Sequence, residues 1–248
     1  MRWLCNHIQT AIFLADESKI NGHELWNAMS LPQAGMYFKE GMVNPMNYPG
    51  ELLGSPYNDF SIILGFQRRR IDLWVTPAGN AKDTPATVPH LNDAEEALRT
   101  LNEKSSALFD NIDCNRIGIV AELGKFCDNQ KTSTKLFLEE IKATNAAPPD
   151  AFELAFKYNR TTKECFSGYE FFLNRIISTK TFKTNVLNIE IDKSAGITNT
   201  KEGPSNWGIS RTLDFNTVKN DKIIEKENLN KIKSLVSQYI LENINGEF

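Results

Sequence analysis

Three consecutive arginines, Arg68, Arg69 and Arg70, lie between the apolar runs of the segment SIILGFQRRRIDLWV. On a strand, Arg68 and Arg70 would share one face with Trp74, because alternate residues point to the same side of a sheet. Guanidinium groups beside an indole can hold a phosphate and stack on a base. Arg68, Arg70 and Trp74, together with Lys125, are therefore a candidate nucleic-acid-binding site. The pattern favours the plainer interpretation, a charged and solvated end of a hairpin or bent strand.

Acidic residues alternate with apolar ones near Glu190 and Asp192, and Asp214 lies on another predicted strand. If these strands are neighbours, the three carboxylates could converge on a magnesium ion in a metal-dependent hydrolase. A nuclease of this kind needs a lysine two positions after an acid, whereas Lys193 directly follows Asp192. That one-residue difference places the ammonium group on the opposite face of the strand. An outward-facing polar strand is the favoured interpretation, and we predict no metal.

The chain has three histidines, and Cys5 and His7 would share one face of a predicted strand. Two ligands are fewer than the three or four protein ligands of a zinc site. The sequence also lacks the GxSxG, GxxxxGK[ST] and GxGxxG motifs of hydrolases and nucleotide enzymes. We predict no cofactor and no catalytic residue, and a non-enzymatic protein is the favoured interpretation.

Methionine and aromatic residues are concentrated in a long connection after residue 33 and in an aromatic segment after residue 165. Methionine and tyrosine are enriched at protein interfaces. We therefore predict a partner-binding surface formed by Met36, Tyr37, Met42, Met46, Tyr48, Tyr169 and Phe171. The alternative is that these side chains fill a core covered by the chain's own helices.

The hydrophobic spacing predicts strands and helices in a mixed order rather than a regular series of alternating strands and helices. Strands are predicted near 4–15, 59–76 and 115–123, and helices near 91–109, 131–142 and 222–243. Capping-box patterns at Asn21 to Glu24 and at Asn92 to Glu95 mark helix starts. The fold class is α+β, with mixed or antiparallel sheets packed against helices. A C-terminal four-strand antiparallel meander is closed by the long last helix.

Consecutive prolines near residue 148 mark the best internal boundary, because a helix cannot continue through them. The sequence therefore predicts an α+β region at 1–147 and a sheet-plus-helix region at 148–248, or one continuous domain. The alternative of one domain stays open because a chain of 248 residues suits either arrangement.

The bulk properties of the chain limit its function class. A formal net charge of −3 argues against a protein that coats nucleic acid through its overall charge. The four cysteines are scattered, and no apolar run approaches the length of a membrane span. We therefore expect a cytoplasmic, self-associating subunit or adaptor of a larger protein assembly, for which an accessory role in a bacterial defence system is one setting. The alternatives are the nucleic-acid protein and, second, the hydrolase described above.

Overall fold

In the described part of the chain, nine strands form one antiparallel sheet. The computed structural model describes residues 2–16, 21–78, 89–148, 150–166, 168–192 and 197–245, with the backbone alone for 186–192 and 197–204. The strands are β1 Leu4–Leu14, β2 Met36–Phe38, β3 Glu51–Tyr57, β4 Phe60–Gln67, β5 Arg70–Pro77, β6 Cys114–Cys127, β7 Ala155–Phe166, β8 Tyr169–Asp192 and β9 Ile197–Thr217. The helices are α1 Gly22–Ala28, α2 Ala94–Leu108, α3 Gln130–Glu140 and α4 Lys226–Asn245. Across the sheet the order is β2-β3-β4-β5-β1-β6-β9-β8-β7. The predicted α+β class is confirmed.

The two faces of the sheet differ because side chains alternate along each strand. On β5, Ile71, Leu73 and Val75 join the core cluster together with residues of all four helices. We call this side the helix-covered face. Asp72 and Trp74 point to the other side, which we call the open face. Directly paired residues point to the same face of a sheet, so the register of the strand pairs assigns the residues of the remaining strands to one of these two faces.

Helix starts follow the sequence closely. The Asn21 side chain accepts hydrogen bonds from the backbone N–H groups of His23 and Glu24, and its amide donates to the Glu24 carboxylate. The predicted helix start at Asn21 is thus confirmed, although Glu24 accepts from the Asn21 side-chain amide and not from its backbone N–H as in a capping box. At α2 the cap is Asp93, one residue later than predicted, and its carboxylate accepts from the Glu96 N–H.

Two predicted features differ from the structure. The C-terminal meander has three strands rather than four, because the second and third candidates are parts of the single 24-residue strand β8. Threonines with high strand propensity connect them, and two of these, Thr179 and Thr181, are buried. The long connection predicted from residue 33 to 56 also contains β2 and six of the seven residues of β3.

The predicted boundary near residue 148 lies between α3 and β7. Strands from both sides of it belong to the same sheet, since β6 pairs with β9 over ten residue pairs from Gly118–Asn216 to Cys127–Trp207. One cluster of buried apolar side chains also spans both regions.

The hairpin of β8 and β9 extends beyond the rest of the sheet. The last pair of β7 is Ala155 with Lys180. The β8–β9 pairs continue to Asp192 with Ile197. At about 3.4 Å per residue, the part beyond Lys183 is an arm roughly 30 Å long. In the part of the chain that the structure describes, no helix has the length and apolar character to cross a membrane.

Candidate functional site

The arginine cluster lies at the hairpin between β4 and β5. Gln67 pairs with Arg70, so Arg68 and Arg69 form a two-residue turn and are exposed. The hairpin interpretation is therefore correct, and two of the three arginines form the turn itself. Because Arg68 belongs to the turn, it does not continue the strand face that carries Arg70 and Trp74.

Arg70 is engaged by a fully buried carboxylate. The Arg70 guanidinium donates from Nε and Nη2 to Asp72 at 2.8–2.9 Å. Asp72 also accepts from Gln9 Nε2 at 2.6 Å and from the Tyr48 hydroxyl at 2.9 Å. Burial, together with the negative charge of Asp72, raises the pKa of Tyr48, so the tyrosine remains a hydrogen-bond donor. These hydrogen bonds hold Tyr48, in the loop before β3, against the open face.

Trp74 is part of the same packed region. Its side chain is only 6% exposed and meets the Tyr48 ring edge-on at a centroid distance of 5.3 Å. An indole covered in this way offers no face on which a base could stack. Arg70 and Trp74 therefore lie together as predicted, in an arrangement that serves packing and charge compensation.

Lys125 lies on the opposite side of the sheet from Arg70 and Trp74. It pairs with Ile209 on the helix-covered face, where its ammonium donates to Glu140 and lies 4.4 Å from the centroid of the Trp3 ring. The structure thus divides the predicted nucleic-acid site into three places: the turn, the open face and the helix-covered face.

Asp214 lies far along the sheet from the other two candidate metal-binding carboxylates, Glu190 and Asp192. Glu190 pairs with Asn199 and Asp192 with Ile197 in the arm, whereas Asp214 pairs with Ile176. Fourteen residues of β8 separate positions 176 and 190, which is roughly 45 Å of strand. The side chains of Glu190 and Asp192 lie outside the described residues. Among those described, no group of three or more metal-ligating side chains occurs.

Cys5 and His7 do not share a face, because the pairing of β1 with β6 shifts between these residues. Such a bulge adds one residue and reverses the alternation. Cys5 is consequently buried in the core, and burial raises the pKa of its thiol to about 12. His7 lies beside Glu122, with Nδ1 and Oε2 3.4 Å apart, and its burial lowers its pKa.

The predicted partner-binding residues occupy three environments. Tyr37 and Met42 are exposed by 42% and 54%, near the short edge strand β2, where Val43 is 92% exposed. Met36, Met46 and Tyr48 are half-buried. Tyr169 and Phe171 pack with each other and with the core, and Phe171 is only 7% exposed. Only the first group is presented on an accessible surface.

The edge strand β7 is exposed over more than half of its length, although no sequence pattern marks it as a site. Its first seven residues are all exposed, and among the described residues no strand pairs with its outer side. Phe156 and Tyr158 are 43% and 45% exposed on its helix-covered face, with ring centroids 5.9 Å apart. Their alternation in the sequence indicates a strand, but no local signal shows that this strand lies at the edge.

No family model, curated protein or solved structure matches the chain. The case for a function therefore depends on the geometry of the exposed strand and of the charged side chains.

Proposed function

We propose that this protein is a cytoplasmic, non-enzymatic subunit that associates with a second copy of itself through the outer edge of β7, as part of a larger assembly. The observation that carries the proposal is the exposed twelve-residue edge strand. Such an edge presents a row of backbone donors and acceptors that another strand can pair with. All four cysteines are free thiols, which suits a reducing compartment.

The direction of the backbone groups of β7 follows from one hydrogen bond. Thr181 N–H donates to the Leu154 carbonyl at 2.9 Å, just before the strand begins. In an antiparallel pair, the residues that bond to the neighbour alternate with residues that point away from it. Even-numbered residues of β7 therefore bond to β8. The N–H and C=O groups of the odd-numbered residues, such as Asn159 and Thr161, point outward.

The side chains of β7 favour a particular pairing between two copies. With Thr161 on a two-fold axis perpendicular to the sheet, Phe156 lies opposite Phe166 of the second copy. Asn159 then faces Lys163, and Arg160 faces Thr162, so no like charges are opposed. Shifting the axis to Arg160 would place Arg160 opposite itself and Lys157 opposite Lys163. Because directly opposed like charges destabilise a sheet and aromatic pairs stabilise it, we expect the Thr161 register rather than the Arg160 register.

A second copy suits this edge better than an unrelated peptide, because the twelve residues of β7 are complementary to the same twelve residues in the antiparallel direction. In the Thr161 register the outward groups of residues 157 to 165 form about ten backbone hydrogen bonds between the copies. The opposite edge of the sheet is β2, which has three residues and can support only a short ladder.

Light scattering of the purified protein tests the proposal directly. We expect a mass of twice the 28.1 kDa chain. Asn159→Pro removes an outward N–H from each copy and leaves the bonds to β8 intact, so it should weaken the dimer. Asn159→Ala keeps the N–H and is the matched control. A monomeric parent protein, or a dimer that both variants leave unchanged, would contradict the proposal.

A disulfide experiment tests the register. Lys157 lies opposite Cys165 of the second copy, and bonded antiparallel pairs have Cα atoms about 5.5 Å apart, within the range for a disulfide. Lys157→Cys should therefore give a covalent dimer with the exposed native Cys165 under mild oxidation. Lys163→Cys lies opposite Asn159 and is the control. Equal crosslinking of the two variants would exclude the Thr161 register.

The nucleic-acid alternative remains a separate hypothesis with its own test. It predicts that Arg68→Ala combined with Arg70→Ala lowers the affinity for short DNA or RNA and reduces the salt dependence of binding. The engagement of Arg70 by Asp72 and the burial of Trp74 argue against it. An unchanged affinity and salt slope would remove this alternative.

A further inference from the structure

We propose that a cavity on the helix-covered face, beside the start of β7, binds a nucleoside phosphate. The cavity has a volume of about 610 Å³, within the roughly 300–1,000 Å³ range of ligand sites. Its walls come from the segment before β1, from β6 to β9, and from the C-terminal ends of α3 and α4. This inference does not depend on association, since all of its lining residues belong to one chain.

A charged cluster forms the floor of the cavity. The Glu140 carboxylate accepts from Lys125 through one oxygen and from Arg211 through the other, at 2.8 Å for the second contact. Lys125 Nζ and Arg211 Cζ also lie 4.4 and 4.5 Å from the centroid of the Trp3 ring. These side chains are held in place by several partners each, so the floor is preorganised.

The rim of the cavity carries additional positive charge. Arg2 and Lys142 are exposed there, and they bring the lining cations to four, with Lys125 and Arg211, against the two carboxylates of Glu139 and Glu140. The formal balance of the lining is therefore +2, although the whole chain carries −3. An excess of guanidinium and ammonium groups in a concave site selects an anion, and phosphate suits both kinds of group.

The wall formed by β7 carries two aromatic side chains on which a planar base could stack. Phe156 and Tyr158 project from alternate positions and line the cavity, and each is more than 40% exposed. Base stacking on an aromatic side chain is worth about 1–3 kcal/mol and does not depend on which base is present. Aromatic rings on one wall and cations on the rim and floor match the two chemical parts of a nucleoside phosphate.

Titration calorimetry at constant salt tests this site. The probes are the four common ribonucleoside 5′-diphosphates, inorganic phosphate, and a short oligonucleotide with and without a 5′-phosphate. Arg2→Gln combined with Lys142→Gln changes exposed positions only. Phe156→Ala combined with Tyr158→Ala removes the aromatic wall. Each pair should weaken nucleotide binding about tenfold or more, the loss expected for a charge-assisted hydrogen bond or a stacked base.

Matched control variants come from the opposite face of the sheet. Arg116 also lies over an aromatic ring, that of Phe13, and donates to Asn216 on the open face. Phe172 is 53% exposed, and its position in β8 places it on the same open face. Arg116→Gln and Phe172→Ala should leave the affinity unchanged.

The outcomes separate the sources of the ligand. Binding of a free nucleotide supports the proposal as a small-molecule site. Binding of the 5′-phosphorylated oligonucleotide alone supports the same chemistry at a chain end. Binding of phosphate as tightly as nucleotide, equal losses in the control variants, or no binding of any probe at millimolar concentration overturns it. Light scattering of every variant shows separately whether association has changed.

Discussion

Among the residues that the structure describes, no acidic side chain pairs with the buried Lys233, and this burial has a measurable effect on stability. Lys233 lies on α4 and is 2% exposed. Its ammonium donates to three neutral oxygens on α2: the Asn102 carbonyl at 2.8 Å and the hydroxyls of Ser105 at 3.0 Å and Ser106 at 2.6 Å. Burial, and to a lesser degree the charge of Lys226, lowers the pKa of Lys233 to about 7.

The pH dependence follows from the number of protons bound in each state. Between about pH 7 and 10.5, the unfolded chain holds a proton on Lys233 that the folded protein releases, so the free energy of unfolding rises with pH. The fall of the pKa from 10.5 to about 7 corresponds to a total cost of about 5 kcal/mol at pH values below both. Integration from pH 7 to pH 9 gives about 2 kcal/mol of this change.

Lys233→Met removes the ionisable group and retains most of the buried chain. We expect the free energy of unfolding of the parent protein, measured with urea, to increase by about 2 kcal/mol relative to this variant between pH 7 and pH 9. Lys231→Met, on the same helix but partly exposed, is the control and should give a constant difference. A constant difference for Lys233→Met would refute the reasoning, because Lys233 would then remain charged in the folded protein.

Three further predictions concern the parts of the fold that position the site. Asp72→Ala should lower the free energy of unfolding by about 1–3 kcal/mol in urea titrations, because it leaves the half-buried Tyr48 hydroxyl and Arg70 guanidinium without their acceptor. Gly208→Ala should cost about 1–3 kcal/mol, since a Cβ there would lie 2.2 Å from the Lys125 carbonyl oxygen, whereas Gly35→Ala meets nothing within 4 Å and should be nearly neutral. In mass-spectrometric alkylation at pH 8, the exposed Cys165 should react first, while Cys114, buried and with its pKa raised to about 12, should react only after unfolding.

The elements of this fold were largely readable from the sequence because their signals are local. The alternation of Ile71, Leu73 and Val75 specifies a strand with one buried face, and the Asn21 cap specifies where α1 begins. The strand count in the C-terminal region was wrong for an equally local reason. The polar residues between Phe171 and Ile191 interrupt the apolar alternation, yet their backbone continues as one strand because β9 pairs with β8 from Leu173 to Asp192.

The candidate sites were less predictable because they depend on register and sheet order. A single bulge in β1 sends Cys5 and His7 to opposite faces, although their spacing alone would place them together. Asp214 and Glu190 occupy paired strands but distant positions within the pairing. The sequence identifies β7 as a strand, whereas only the order of the nine strands shows that β7 ends the sheet.

The two proposals meet at the same end of the sheet, and this has a thermodynamic consequence. Phe156 lines the cavity, and in the Thr161 register it also lies opposite Phe166 of a second copy. A nucleoside phosphate stacked on the Phe156 ring would therefore bind beside the interface between the two copies. Because coupling between binding equilibria is reciprocal, any factor by which the ligand strengthens or weakens the dimer must equally change the affinity of the dimer for the ligand. The ratio of the ligand affinities of the parent protein and Asn159→Pro measures the effect of association on ligand binding. The ratio of the dimer dissociation constants with and without ligand measures the effect of the ligand on association, and the two ratios must agree.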